Sequence, residues 1–146
     1  MIGTENFGAY ARKMLIDGYI IVVDYTEQKK LAAEINSKLE HSLISMLDES
    51  EIAYRRNGGE RRLPGLVSLS FPGKDGEAIL HRMDLMGISI STGSACDSVN
   101  TEISHVLQAI MLDEKHSKGT VRISLGKNNT EAEAERIAEA LIRIIV

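Results

Sequence analysis

A single cysteine, Cys96, in 146 residues excludes an intrachain disulfide and any zinc knot built from several thiols. Basic surplus is missing too: 17 Lys and Arg stand against 21 Asp and Glu, for a formal charge of −4 and a pI near 5.6. A nucleic-acid-binding face normally announces itself as a basic excess, so no nucleic-acid partner is expected. Apolar stretches such as 20–23 and 144–146 fall far short of the roughly twenty residues that cross a bilayer, so no membrane partner is expected either. The first residues carry no cleavable secretory pattern, with Glu5 standing ahead of any long apolar run. His41, His81, His105 and His116 show no i, i+4 pair and no metal-ligand grouping, and His41 and His81 read as helix-surface residues. The glycines of 119–127 are too far apart for a phosphate loop, and Asn128 stands where a magnesium-holding Ser or Thr would be needed. Repeats and low-complexity segments are likewise absent. What remains, with 43% hydrophobic and 26% charged residues, is one globular domain, expected to be cytoplasmic.

The apolar residues that are present recur with clear periods. Leu31, Ile35, Leu39 and Leu43 lie four apart, with Ala32 and Met46 widening the stripe, which predicts a helix over 24–47 capped by Asp24 or Thr26. A short strand is expected around 52–55, closed by the turn signal Asn57-Gly58-Gly59. Val67, Leu69 and Phe71 alternate with Ser68 and Ser70, the pattern of a half-buried strand. A helix over 75–86 follows, with Ile79, Met83 and Met86 on one face and Gly87 as its stop. Ile88 and Ile90 alternate with Ser89 and Ser91 as another short strand. Residues 92–103 are small and polar and read as a loop. Ser104 can cap a helix through 111 that turns Val106, Leu107, Ile110 and Met111 inward. Val121, Ile123 and Leu125 face one way on a further strand, Arg122 and Ser124 the other. Thr130 and Glu133 have capping-box spacing before a closing helix with Ala134, Ile137, Leu141 and Ile144 or Ile145 buried. Near the N-terminus, 19–25 is β-branched enough for a strand, whereas 9–16 looks helical. The fold class is α/β: a small, mostly antiparallel sheet covered by helices.

Chemistry points to one place. Cys96 lies in Ser-Thr-Gly-Ser-Ala-Cys-Asp-Ser (91–98), a run of small residues between a strand and a capped helix. Structural cysteines usually sit on apolar stripes of regular elements, whereas a thiol in a polar loop can be reached and can move. From context alone a nucleophile and a small loop-filling residue both remain open.

That run, followed by Ser104-His105-Val106-Leu107 and by Gly-Thr-Val-Arg-Ile-Ser-Leu-Gly (119–126), closely resembles the C-terminal domain of cysteine desulfurases. These are pyridoxal-phosphate enzymes of the class V aminotransferase superfamily, with the small domain of a fold-type I enzyme. The resemblance extends to Leu63-Pro64-Gly65, to Asn129-Thr130-Glu131 and to Gly3-Thr4-Glu5-Asn6. It is strong from Leu63 onward and weak between Phe7 and Tyr25. In that family the cofactor activates free cysteine, a loop thiolate takes its sulfur as a persulfide, and alanine leaves. The resemblance puts that thiolate on Cys96. It puts the substrate-carboxylate arginine on Arg122, and a guanidinium fork suits a carboxylate. Thr4 matches the hydroxyl residue that reaches the neighbouring subunit's cofactor phosphate in the complete homodimer. His105 matches a family position and reads as a helix-N-terminus residue without a catalytic role.

The family's larger domain, which carries the Schiff-base lysine and most of the phosphate cradle, has no counterpart in these residues. Lys13, Lys29, Lys30, Lys38, Lys74, Lys115, Lys118 and Lys127 lie in no matching context, and Lys127 replaces a usual arginine. The expectation is a single domain over 1–146 that does not hold pyridoxal phosphate alone. It would work with a missing cofactor domain or partner chain, and with a sulfur acceptor or scaffold protein in Fe–S cluster or thio-cofactor assembly. The alternative is a free-standing sulfur carrier or interaction module without cofactor chemistry.

Overall fold

The computed structural model describes residues 11–16, 19–24, 26–92 and 105–146, with backbone alone for 11–16, 19–24, 105 and 108. The first two elements, β1 (Ala11–Ile16) and β2 (Tyr19–Asp24), form an antiparallel hairpin with Ala11 opposite Asp24 and Ile16 opposite Tyr19. The strand expected over 19–25 is therefore present, and the helix expected over 9–16 is replaced by its partner strand. Ile20-Ile21-Val22-Val23 is β-branched throughout, and a cross-strand partner outweighs the helical leaning of Met14 and Leu15.

Helix α1 (Thr26–Glu49) follows. Its stripe is covered only along the second half: Leu39, Leu43 and Leu47 are buried, while Leu31 is 58% exposed. The partner along that half is α5 (Glu131–Ile145), joined at its start by the Ser42 hydroxyl donating to Glu131 at 3.0 Å. As the spacing predicts, Thr130 accepts from the Glu133 amide and Glu133 accepts from the Thr130 amide, a complete capping box. The buried residues of α5 are Ala134, Ala138, Ala140, Leu141 and Ile145, with Ile137 only half-buried.

Four antiparallel strands make the main sheet: β3 (Arg55–Arg56), β4 (Leu66–Ser70), β5 (Ser91–Thr92) and β6 (Thr120–Ser124), in the order β3-β4-β6-β5. The two alternating segments pair as neighbours, Val67 opposite Ile123 and Leu69 opposite Val121. The strand expected around 52–55 shrinks to Arg55 and Arg56, and of the segment expected near 88–91 only Ser91 pairs, joined by Thr92. Helix α2 (Gly76–Leu85) is capped by Asp75, which accepts from the Glu77 amide at 2.9 Å, and Gly87 past its end takes φ +73°. Val67, Leu69, Val121 and Ile123 share one core with Leu43 and Leu47 of α1, Ile79 and Met83 of α2, and Ala138 and Leu141 of α5. Each of the larger of these side chains contributes about 1.5–3 kcal/mol by leaving water.

Two short helices complete the chain, α3 (His105–Ala109) and α4 (Glu114–Ser117). Of the four residues expected to turn inward here, only Leu107 does; Val106 and Ile110 are exposed and Met111 is 89% exposed. The helix stops at Ala109, Met111 takes φ +52°, and Leu112 is buried in its stead. Helix α4 was not legible from periodicity, being a single turn capped by Asp113.

Tight backbone contacts account for two glycine-bearing blocks. Gly65 has φ +85°, and a Cβ there would lie 2.7 Å from the Leu125 carbonyl oxygen. Its amide donates to Glu40 of α1 at 3.0 Å, and the same carboxylate pairs with Arg56, so one side chain ties α1 to both β3 and the turn before β4. At Gly119 a Cβ would lie 2.1 Å from the Phe71 carbonyl oxygen.

Candidate functional site

The two faces of the sheet differ in chemistry. One is the apolar face on the core; the other carries Ser68 and Ser70 of β4, Thr120, Arg122 and Ser124 of β6, and Ser91 of β5, as strand alternation requires. At one end this second face is covered. Ser70 and Thr120 are 0% and 2% exposed, and the Thr120 hydroxyl donates to the His116 carbonyl of α4 at 3.0 Å. The reading of Ser70 as an outward residue is thereby corrected: its hydroxyl is buried against that of Thr120, 2.7 Å away. At the other end the face is open, with Arg122 and Ser124 exposed and Ser68 and Ser91 half-buried.

Arg122 stands at the centre of β6, with Ser68 directly opposite on one side and Ser91 on the other. Opposed residues in an antiparallel pair have Cβ atoms about 4.5–5.5 Å apart, so two hydroxyls flank the guanidinium. Among the described residues Arg122 has neither an ion pair nor a hydrogen bond; the ion pairs described there are Arg56–Glu40, His116–Asp113 and Lys118–Glu114. An unpaired cation among hydroxyl donors is suited to a planar anion such as a carboxylate.

Behind Ser68 lies a polar network that sequence reading missed. Asn57, taken there only as a turn residue, is 7% exposed and donates through Nδ2 to Ser68 Oγ at 3.2 Å and to Ser70 Oγ at 2.7 Å. The one signal for it was the run of serines alternating with apolar residues on β4, which marked a polar face without saying what lay against it. Nearby, the hydrogen bond from His116 holds the exposed Asp113 carboxyl below its ordinary range, which keeps the α4 cap ionised.

The pairing of Ser91 with Arg122 also sets the root of the Cys96 segment at this face. Cys96 follows Thr92 by four residues, a length that spans at most about 14 Å. Cys96 itself, Thr4, the loop beyond Thr92, the Ser104 cap and the His105 side chain lie outside the described residues. His41 and His81 are exposed on α1 and α2, as expected. Among the described residues no group of His, Cys, Asp and Glu could hold a metal ion, and no helix is long and apolar enough to cross a membrane.

Comparison with known proteins matches residues 12–137 to the family Aminotransferase class-V. The chain is 36% identical over 108 residues to the cysteine desulfurase IscS 1 of Archaeoglobus fulgidus, covering 74% of this chain and 28% of that protein. It is 46% identical over 85 residues to the cysteine desulfurase IscS of Clostridium botulinum, covering 58% of this chain and 21% of that protein. Its fold matches a NifS-like protein from Rickettsia africae with a TM-score of 0.69 and 28% identity, over 82% of this chain and 30% of that one. The chain thus spans under a third of the length of these relatives.

Proposed function

Because the chain belongs to the aminotransferase class-V family, we propose that these residues are the part of a cysteine desulfurase that holds the substrate carboxylate and carries the sulfur-accepting thiol. The observation that carries the reading is Arg122, exposed and unpaired among the described residues, flanked by Ser68 and Ser91 and joined through β5 to the root of the Cys96 segment. Its planar fork takes both oxygens of a carboxylate, and a fixed grip there leaves the far end of L-cysteine to be met by the Cys96 thiol. In the overall reaction Cys96 attacks the substrate sulfur as a thiolate. The S–S bond forms as the Cβ–S bond breaks, and the carbon takes up a proton to leave as alanine. The persulfide on Cys96 then passes to an acceptor or scaffold protein for Fe–S cluster or thio-cofactor assembly.

Pyridoxal phosphate, which the family implies, does not fit the described residues by themselves. All seven lysines whose side chains are described are exposed. Lys74 donates to the Ile145 carbonyl at 2.7 Å, Lys118 pairs with Glu114, and the open face around Arg122 offers hydroxyls without an amine. We assign the cofactor lysine and most of the phosphate cradle to residues other than these, with Thr4 contributing to the neighbouring subunit's phosphate site in a homodimer.

The test gives L-cysteine to the assembled enzyme and measures alanine together with added sulfur mass on the Cys96 peptide. Both are expected. Cys96→Ser should abolish the persulfide while leaving cofactor binding intact, and Arg122→Ala should suppress alanine formation. Failure of the wild-type enzyme to form alanine overturns the desulfurase reading, and sulfur uptake from a persulfide donor without alanine formation would favour a sulfur carrier.

A further inference from the structure

The hydrogen bonds behind Ser68 make its hydroxyl an acceptor there and leave its own proton free to donate elsewhere. The order of donors is fixed from the far end. The His116 carbonyl can only accept, so the Thr120 hydroxyl donates to it, at 3.0 Å. With that proton used, Thr120 Oγ1 accepts from Ser70 Oγ at 2.7 Å. Ser70 has then given its own proton away and must accept from Asn57 Nδ2 at 2.7 Å. This fixes the asparagine amide with its nitrogen toward the serines, and its second N–H reaches Ser68 Oγ at 3.2 Å. Ser68 therefore accepts from behind, and among the described residues its own proton has no acceptor.

Burial keeps this order from reversing. Ser70, Thr120 and Asn57 are all buried, so water does not compete along the chain. Among the described residues Asn57 Oδ1 is buried without a partner, the cost of holding the amide in this orientation. The final hydroxyl, Ser68, is half-buried on the open side of the sheet, directly opposite Arg122. Ser91, on the other flank of Arg122, has no described hydrogen bond that would orient it.

We propose that Ser68 is the second arm of the carboxylate site: its hydroxyl, oriented by Asn57, donates to the same carboxylate that Arg122 holds. The inference rests on the reading of Arg122 given above and adds a binding residue and a positioning residue to it. Arg122 supplies charge and a planar fork, and Ser68 supplies a donor whose oxygen is already held by Asn57 and whose proton no described group claims.

The test titrates the isotopically labelled full chain with L-alanine and follows the amide resonances of β4 and β6 by NMR, with ethylamine as a control lacking the carboxylate. L-alanine is expected to shift them and ethylamine is not. Arg122→Ala should abolish the shifts, Ser68→Ala should weaken binding about fivefold to tenfold, and Ser68→Thr should restore it. The same spectra report whether each variant is folded. If Arg122→Ala abolishes binding and Ser68→Ala leaves it unchanged, the role of Ser68 is overturned and the Arg122 reading stands. If the wild-type chain shows no carboxylate-dependent shift, or Arg122→Ala keeps it, the Arg122 reading fails and this inference fails with it.

Discussion

The Thr92 hydroxyl donates to the Glu77 carboxylate at 2.9 Å, tying the last described residue before the Cys96 segment to the first turn of α2. Thr92 is buried opposite Val121, whereas Glu77 is exposed, so the bond joins the sheet edge to the helix from inside outward. Thr92→Val keeps the volume and removes the bond, and Glu77 can return to water. The expected loss is about 1 kcal/mol. It should be read as a lower urea midpoint with an unchanged slope.

Gly119→Ala should cost more. The added Cβ would lie 2.1 Å from the Phe71 carbonyl oxygen and 3.0 Å from that of Lys74. Both obstacles are backbone, and the Phe71 amide donates to the Gly119 carbonyl at 3.0 Å, so relief requires parting two joined segments. A loss of roughly 3 kcal/mol is expected, measured by denaturant unfolding. An alanine variant as stable as the wild type would contradict the close approach.

Tyr54 makes stability depend on pH in the alkaline range. Burial, followed by its hydrogen bond to Asp48, pushes the phenol up from 10.0 to about 12. The folded chain therefore holds this proton more tightly than the unfolded chain does. Stability from this source is complete below pH 10 and is lost between about pH 10 and 12, as the unfolded phenol ionises first. Ultraviolet titration of phenolate should show one late-ionising tyrosine that is missing in Tyr54→Phe, and that variant should lose less stability across the same interval.

Mixing the 146-residue chain with pyridoxal phosphate is expected to leave no long-wavelength imine band after desalting, because the lysines with described side chains are all exposed and unenclosed imines hydrolyse. A band that persists would place a cofactor lysine among these residues and reverse the assignment made above.

What could be read from sequence follows the strength of each local signal. Thr130 and Glu133 announced their capping box because both partners lie within four residues, and Val67 with Leu69 announced a strand because one face is wholly buried. Ser70 misled because its alternation suggests solvent, whereas Asn57 and Thr120, 13 and 50 residues away, bond to its hydroxyl where it is buried. Val106 and Met111 misled because a helix of five residues cannot carry a stripe of four inward positions. Arg122 was placed on the correct face by alternation, but its setting between Ser68 and Ser91 depends on strand order, which no spacing encodes. The Asn57 network depends on that same order.

The partnership of α1 and α5 also bears on how the chain is made. Ser42 and Glu131, which join the two helices, are 89 residues apart. At a ribosomal pace of about 5–20 residues per second, α1 waits roughly 5–20 s for its partner. During that interval Leu39, Leu43 and Leu47 cannot bury against α5, and β4 likewise waits for β6. The core shared by α1, β4, β6 and α5 can therefore close only once α5 has emerged, and the apolar stripe of α1 stays open to other contacts until then.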